Sequence, residues 1–166
     1  QKMVLLCDGK PTRSFPVSTS KFGLGDSRGS YATPLGKLRV RKKIGGDMPA
    51  GTVFKGRIPT GEVLPVNAPG RDPIVTRILW LEGLEARNRN AFSRYIYIHG
   101  TPEERNIGQP VSFGCIRMRS CDVIELFDSI GVNAQVFVTP KPLPRELAQI
   151  SENQMGPASQ GDHRPL

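Results

Sequence analysis

The residues most able to do covalent chemistry are Cys115, in SFGCIRM (112–118), and His99, in YIHGT (97–101), with fifteen residues between them. A thiolate is a strong nucleophile, and an imidazole within hydrogen-bond reach can take its proton and later return it to a leaving amine. Gly114 carries no Cβ, which lets a substrate carbonyl come close to the backbone and lets the chain turn at the nucleophile. The amide of Cys115, joined by that of Gly114, could then serve as an oxyanion donor. Arg117 has two readings, as a brace for the loop or as a bidentate holder of a substrate carboxylate. The plain alternative is that Cys115 is a small buried hydrophobe and His99 a satisfied strand-end histidine. For Cys7 and Cys121 the structural reading is preferred, since one sits in an apolar strand and the other in the first turn of a helix.

These residues need strands to bring them together. MVLLCDGKPTRSFPVS has two strand-like arms around Asp8-Gly9, a pair suited to a hairpin turn. The stretch TSKFGLGDSRGSYATPLGKLRV reads as a long loop before a strand at Lys37–Lys43, and loops of this length are often functional. Residues 44–73 show only short strands and turns. PIVTRILWL is β-branched and alternating, predicting a strand from Ile74 to Leu81. A second strand runs through Tyr95–Ile98, with His99 where it ends. If the strands bearing His99 and Cys115 lie side by side, the two residues meet at one sheet edge. A helix follows directly, with Ser120 as N-cap, Val123, Ile124, Phe127 and Ile130 on one face and Gly131 at its end. Its N-terminus could favour a thiolate. A last strand covers Ala134–Thr139, and 141–166 reads as a tail or surface wrap.

With 166 residues the chain suits one domain, and its 18 glycines and 15 prolines favour short strands joined by turns. A net charge of +8 points to an acidic partner, but aromatic residues are only 7%, which argues against nucleic acid. No apolar run reaches membrane-spanning length, because Arg77 cuts the most apolar stretch. The opening QKMVLLCDGK lacks the features of a signal peptide, so an export signal is not expected within these residues. Three cysteines leave at least one thiol free, even if Cys7 and Cys121 pair. No CxxC or paired histidines suggest a metal, and no cofactor is expected.

His, a gap, then Ser/Thr-x-Gly-Cys-apolar-Arg/Asn resembles the signature of the L,D-transpeptidase catalytic domain, the YkuD-like family of bacterial cell-wall enzymes. FPVSTSKFG with TPLGKLRV, and DVIELFDSIGVNAQVFV, resemble the family's first strands and its closing helix and strand. The resemblance implies a mainly β fold, a β-sandwich with one short helix after the nucleophile loop, over residues 1–140. It implies catalysis by Cys115 and His99, with the Gly100 carbonyl fixing the imidazole tautomer and Ser112 supporting the site or touching substrate. Many members have a second histidine where this chain has Phe113, so Phe113 and the loop from Ser20 to Thr33 are where an altered selectivity is expected. The implied partners are peptidoglycan stem peptides as donor and acceptor, with carbapenem-type β-lactams as covalent inhibitors, in the periplasm or cell envelope. Lys21, Arg28, Lys37 and Arg117 are the cations nearest the motifs, while Tyr97 and Trp80 read as packing residues. Hydrolytic trimming of stems by an L,D-carboxypeptidase of the same fold is the alternative. A basic wall-binding or nucleic-acid-binding module with no chemistry is a remoter one.

Overall fold

A computed structural model of the chain describes residues 1–148; of the expected tail, residues 149–166 lie outside the described residues. Strands β1 (Lys2–Cys7) and β2 (Lys10–Pro16) form an antiparallel hairpin. Asp8 and Gly9 make its turn at φ 50° and 73°, the left-handed geometry that matches strand twist. Seven further strands share one sheet: β3 (Gly36–Ile44), β4 (Thr52–Lys55), β5 (Ile58–Val63), β6 (Ile74–Gly83), β7 (Tyr97–Gly100), β8 (Ile116–Met118) and β9 (Gln135–Val138). Helix α1 spans Ser120–Ser129, and a single turn, α2, spans Arg145–Ala148. The protein is thus mainly β, with its main helix directly after the cysteine segment. No helix among the described residues is long and apolar enough to cross a membrane.

β6 is the central strand. Its β-branched and aromatic run is buried continuously from Val75 to Leu81, as befits a strand covered on both faces. One edge takes β4 at Ile74–Val75 and then β3 from Ile78 onward, while the other takes β7. The change of partner coincides with a bulge at Thr76–Arg77, where Thr76 holds φ 74°. Thr76 Oγ1 fixes this bend by accepting from the Gly51 amide at 2.9 Å and bonding Ser120 Oγ at 2.6 Å.

Side chains alternate across the sheet. Leu79, Leu81, Ile98, Ile116 and Met118 join Phe15 and Val17 of the hairpin region and Val123, Leu126 and Phe127 of α1 in the larger core. Each such buried side chain contributes about 1.5–3 kcal/mol. Ile78, Trp80, Tyr97 and Phe54 form a smaller cluster that Cys115 packs against. The cysteine therefore lies on the aromatic side, away from the helix-covered core.

Two local expectations change. β7 begins at Tyr97, because Tyr95 turns with φ 57°, and the strand includes His99. Ser120 is the first helical residue rather than the N-cap; Arg119 holds that position without a side-chain cap, and Glu104 Oε1 accepts from the Ser120 amide at 2.8 Å instead. At the other end, Lys43 Nζ donates to the carbonyls of Phe127 and Ile130 at 2.6 and 2.7 Å, placing a cation on the helix C-terminus.

Candidate active site

β7 and β8 pair in parallel, with Ile98 opposite Ile116 and His99 opposite Arg117. Carried back one residue, that register sets Cys115 beside Tyr97. Since alternate residues share a face, the imidazole and the thiol point to the same side of the sheet, offset by one two-residue step, roughly 6–7 Å along the strand. The thiol is held by backbone: Sγ accepts from the Tyr97 amide at 3.3 Å and donates to the Tyr95 carbonyl at 3.4 Å.

His99 Nδ1 lies 2.7 Å from the Gly100 carbonyl oxygen and donates to it, which leaves Nε2 as the basic nitrogen of the neutral ring. Burial pulls the His99 pKa down to about 4; the Gly100 bond and Asp72 resist this, and Arg117 adds to it. Burial pushes the Cys115 thiol up to about 11, against the Tyr97 amide and the charges of Arg117 and Arg94. At neutral pH the resting pair is therefore thiol and imidazole, both uncharged. Gly100 is required by contact: a Cβ there would stand 2.6 Å from the Val75 carbonyl oxygen.

The segment before Cys115 is braced from within and from the long N-terminal loop. Ser112, fully buried, donates from Oγ to the Cys115 carbonyl at 2.6 Å and accepts from the Gly114 amide at 3.3 Å. That bond engages the Gly114 N–H, one of the two amides expected to face an oxyanion. Gly114 has φ 118°, and a Cβ would lie 3.2 Å from the Ala32 carbonyl oxygen and from Ile96 Cδ1. Glycine is thus demanded here by backbone conformation and packing. Thr33 Oγ1 donates to the Gly114 carbonyl at 3.0 Å, and Ser20 bridges to Ser112. The 20–33 loop is consequently a wall of the site.

Arg117 is occupied by an ion pair with Asp72 at 2.5 Å, and Asp72 also accepts from Thr101 Oγ1 at 2.5 Å. Of its two expected roles, bracing is the one its contacts fit. Phe113 is 54% exposed and sits against Phe22 and Tyr31 of the loop, with ring centroids 5.5 and 5.8 Å away. Lys21 Nζ lies 4.5 Å from the Phe113 centroid, whereas Arg28 and Lys37 are exposed. Trp80 and Tyr97 are buried core residues, and Cys7 and Cys121 are both exposed, free thiols.

Sequence reading passed over Asp72, Thr33, Arg57 and Arg94. Arg94 donates to Asp26 Oδ1 at 2.9 Å and to the Ala32 carbonyl at 2.7 Å, tying the loop to the segment before β7. Thr33 opens the TPLGKLRV segment, whereas Asp72, Arg57 and Arg94 sit in no motif, and each of the four acquires its part only through a partner distant in sequence.

Residues 1–138 match the model of the L,D-transpeptidase catalytic domain, YkuD. A curated relative described as a putative L,D-transpeptidase, YqjB of Bacillus subtilis, is 40% identical over 60 residues, covering 36% of this chain and 32% of its own length. Among solved structures, an Enterococcus faecium L,D-transpeptidase with its cysteine replaced by serine aligns at TM-score 0.52 and 18% identity, over 84% of this chain and 46% of that one. An L,D-transpeptidase solved as its avibactam carbamoyl enzyme aligns at TM-score 0.54 and 18% identity, over 86% of this chain and 46% of that one. The chain spans about a third of the curated relative and under half of these structures. At that identity the structures speak for the fold, while the family match runs through both short motifs and most of the sheet; the chain belongs to the L,D-transpeptidase catalytic domain family.

Proposed function

We propose that this chain is a peptidoglycan L,D-transpeptidase domain that cross-links stem peptides through a thioester on Cys115. The observation that carries the reading is the His99 tautomer: with Nδ1 committed to Gly100, Nε2 is left to accept a proton on the face that the thiol shares. Because both groups rest uncharged, sulfur adds to the donor carbonyl as Nε2 takes its proton. The oxyanion is received by the Cys115 amide, with the Gly114 amide already bonded to Ser112. Collapse breaks the peptide bond, the departing amine takes the proton from His99, and a thioester remains. An acceptor stem amine then attacks, gives its proton to Nε2, and the amide product leaves as the thiolate is reprotonated.

Ser112, Gly114 and Arg117 hold the nucleophile segment, and Phe113 borders the substrate path. Residues 1–140 would form the catalytic domain, a β-sandwich in the family's manner, with 141–166 as its extension and the cell envelope as its place of work. Carbapenem-type β-lactams would acylate the same sulfur, in keeping with the avibactam adduct of a protein of similar fold.

Muropeptide mass spectrometry after incubation with the pure protein tests the reaction. New dimers absent with Cys115→Ala support transfer. Shortened monomers alone would make the protein a hydrolase, and the same products formed by Cys115→Ala would leave the thiol without a catalytic part. Intact-mass analysis with a carbapenem reads acylation separately, and an adduct retained in Cys115→Ala would exclude this sulfur.

A further inference from the structure

Two guanidinium groups, those of Arg117 and Arg94, act on the charge of the thiol, a third lies on the aromatic cluster that Cys115 packs against, and the first two are neutralised. Arg117 is paired with Asp72 and Arg94 with Asp26. The third, Arg57, forms no ion pair among the described residues. It stands at the tip of the β4–β5 hairpin, where Lys55 faces Ile58 across a two-residue turn, Gly56 at φ 55° and Arg57 at φ 69°. A left-handed conformation is sterically disfavoured for arginine, and a turn this tight fixes where the side chain begins.

The side chain folds back onto an aromatic wall. Its guanidinium carbon is 4.8 Å from the Trp80 ring centroid and 5.1 Å from that of Tyr95, and Nη1 donates to Tyr97 Oη at 3.2 Å. Trp80 is itself held by stacking on Phe92 at 4.1 Å. Tyr95 and Tyr97 are also the residues whose backbone binds Cys115 Sγ. The same two residues therefore carry the nucleophile on their main chain and the uncompensated cation on their rings. A guanidinium has five N–H donors, and one is accounted for here. Seated on rings that shed water from one side, it is suited to a planar anion bound along its free edge.

We propose that Arg57 is a specificity-determining residue that receives a carboxylate of the acyl substrate, set back by several bonds from the carbonyl that Cys115 attacks. The inference rests on Cys115 being the nucleophile of the proposed reaction, and it names the charge that reaction selects. Arg117, already bound to Asp72, is relieved of that duty.

The test uses thiol–disulfide exchange, which needs no peptidoglycan chemistry. In the full chain carrying Cys7→Ser and Cys121→Ser, the rate of Cys115 attack is measured with two disulfides. One is 5,5′-dithiobis(2-nitrobenzoate), whose carboxylates are set back from the reacting sulfurs; the other is neutral 4,4′-dithiodipyridine. In each case the Cys115 sulfur displaces one aromatic thiolate and forms a mixed disulfide. Arg57→Gln is expected to lower the anionic-to-neutral rate ratio about tenfold, and Arg57→Lys to retain part of it. The neutral reagent reports any collapse of the aromatic wall, since altered access slows both reactions and leaves their ratio unchanged. An unchanged ratio in Arg57→Gln would overturn the proposal, whether or not the muropeptide experiment shows transfer. Loss of transfer in Cys115→Ala with the ratio unaffected by Arg57→Gln would leave the proposed reaction standing and remove Arg57 from it.

Discussion

His99 stands directly opposite Arg117 across the parallel β7–β8 pair, so a buried base faces a fixed positive charge. Unfolded, this histidine takes up a proton as the pH falls through 6.5; folded, it waits until about 4. The unfolded state binds more protons between those values, so stability should fall as the pH drops from about 6.5 to 4, losing about 3 kcal/mol in all. Urea unfolding at pH 7 and 4.5 should show about 2–3 kcal/mol more acid loss in the wild type than in His99→Gln. Equal losses in the two proteins would contradict a buried neutral ring.

The thiol carries the opposite sign. Its pKa rises from 9.0 to about 11 on folding, so the unfolded chain releases this proton first. The contribution is present below pH 9 and is lost as the pH climbs toward 11. In the Cys7→Ser, Cys121→Ser background, iodoacetamide alkylation of Cys115 should therefore keep rising up to about pH 11. A plateau reached near neutrality would instead indicate a preformed thiolate–imidazolium pair.

Gly100→Ala should damage both fold and function. The added Cβ would meet the Val75 carbonyl at 2.6 Å, and the backbone that must yield carries the oxygen bonded to His99 Nδ1. Overpacking of this kind costs about 1–3 kcal/mol. The unfolding free energy from denaturant titration should fall by that amount, and carbapenem acylation should slow even where the variant is fully folded.

Asp72→Asn should act on His99 through Arg117. Removing the carboxylate breaks a mostly buried ion pair, at a cost of about 2–4 kcal/mol, and leaves Arg117 uncompensated beside the imidazole. Since Asp72 raises the His99 pKa and Arg117 lowers it, NMR titration of the ring should show its midpoint moving to lower pH. A midpoint moving upward would mean that Arg117 had left the site.

What the sequence made legible follows the range of the interactions. The Asp8-Gly9 hairpin and β6 could be read because turn chemistry and β-branching act locally. His99 and Cys115 could be singled out because their types are rare and their neighbours fit a family signature. The Asp26–Arg94 pair spans 68 residues, and nothing local announces it. The cap of α1 was misread for the same reason: Ser120 looked sufficient, but the carboxylate that caps the helix comes from Glu104, sixteen residues earlier. Arg57 was hidden in a hairpin whose second strand is exposed at nearly every position, so no alternation marked it. The role of Phe113 as part of an aromatic group with Phe22 and Tyr31 needed the loop's path, which composition does not encode.

β7 and β8 pair in parallel, whereas every other described strand pairing is antiparallel. Neighbours running the same way cannot be joined by a tight turn; the chain must travel the length of the pair and return, which takes a dozen or more residues. The interval between histidine and cysteine is thus a ruler for the return path, and it measures topology before it measures chemistry. Insertions that bulge outward should be absorbed, but a deletion that shortens the circuit would pull the cysteine off its rung while leaving every reactive group in the sequence.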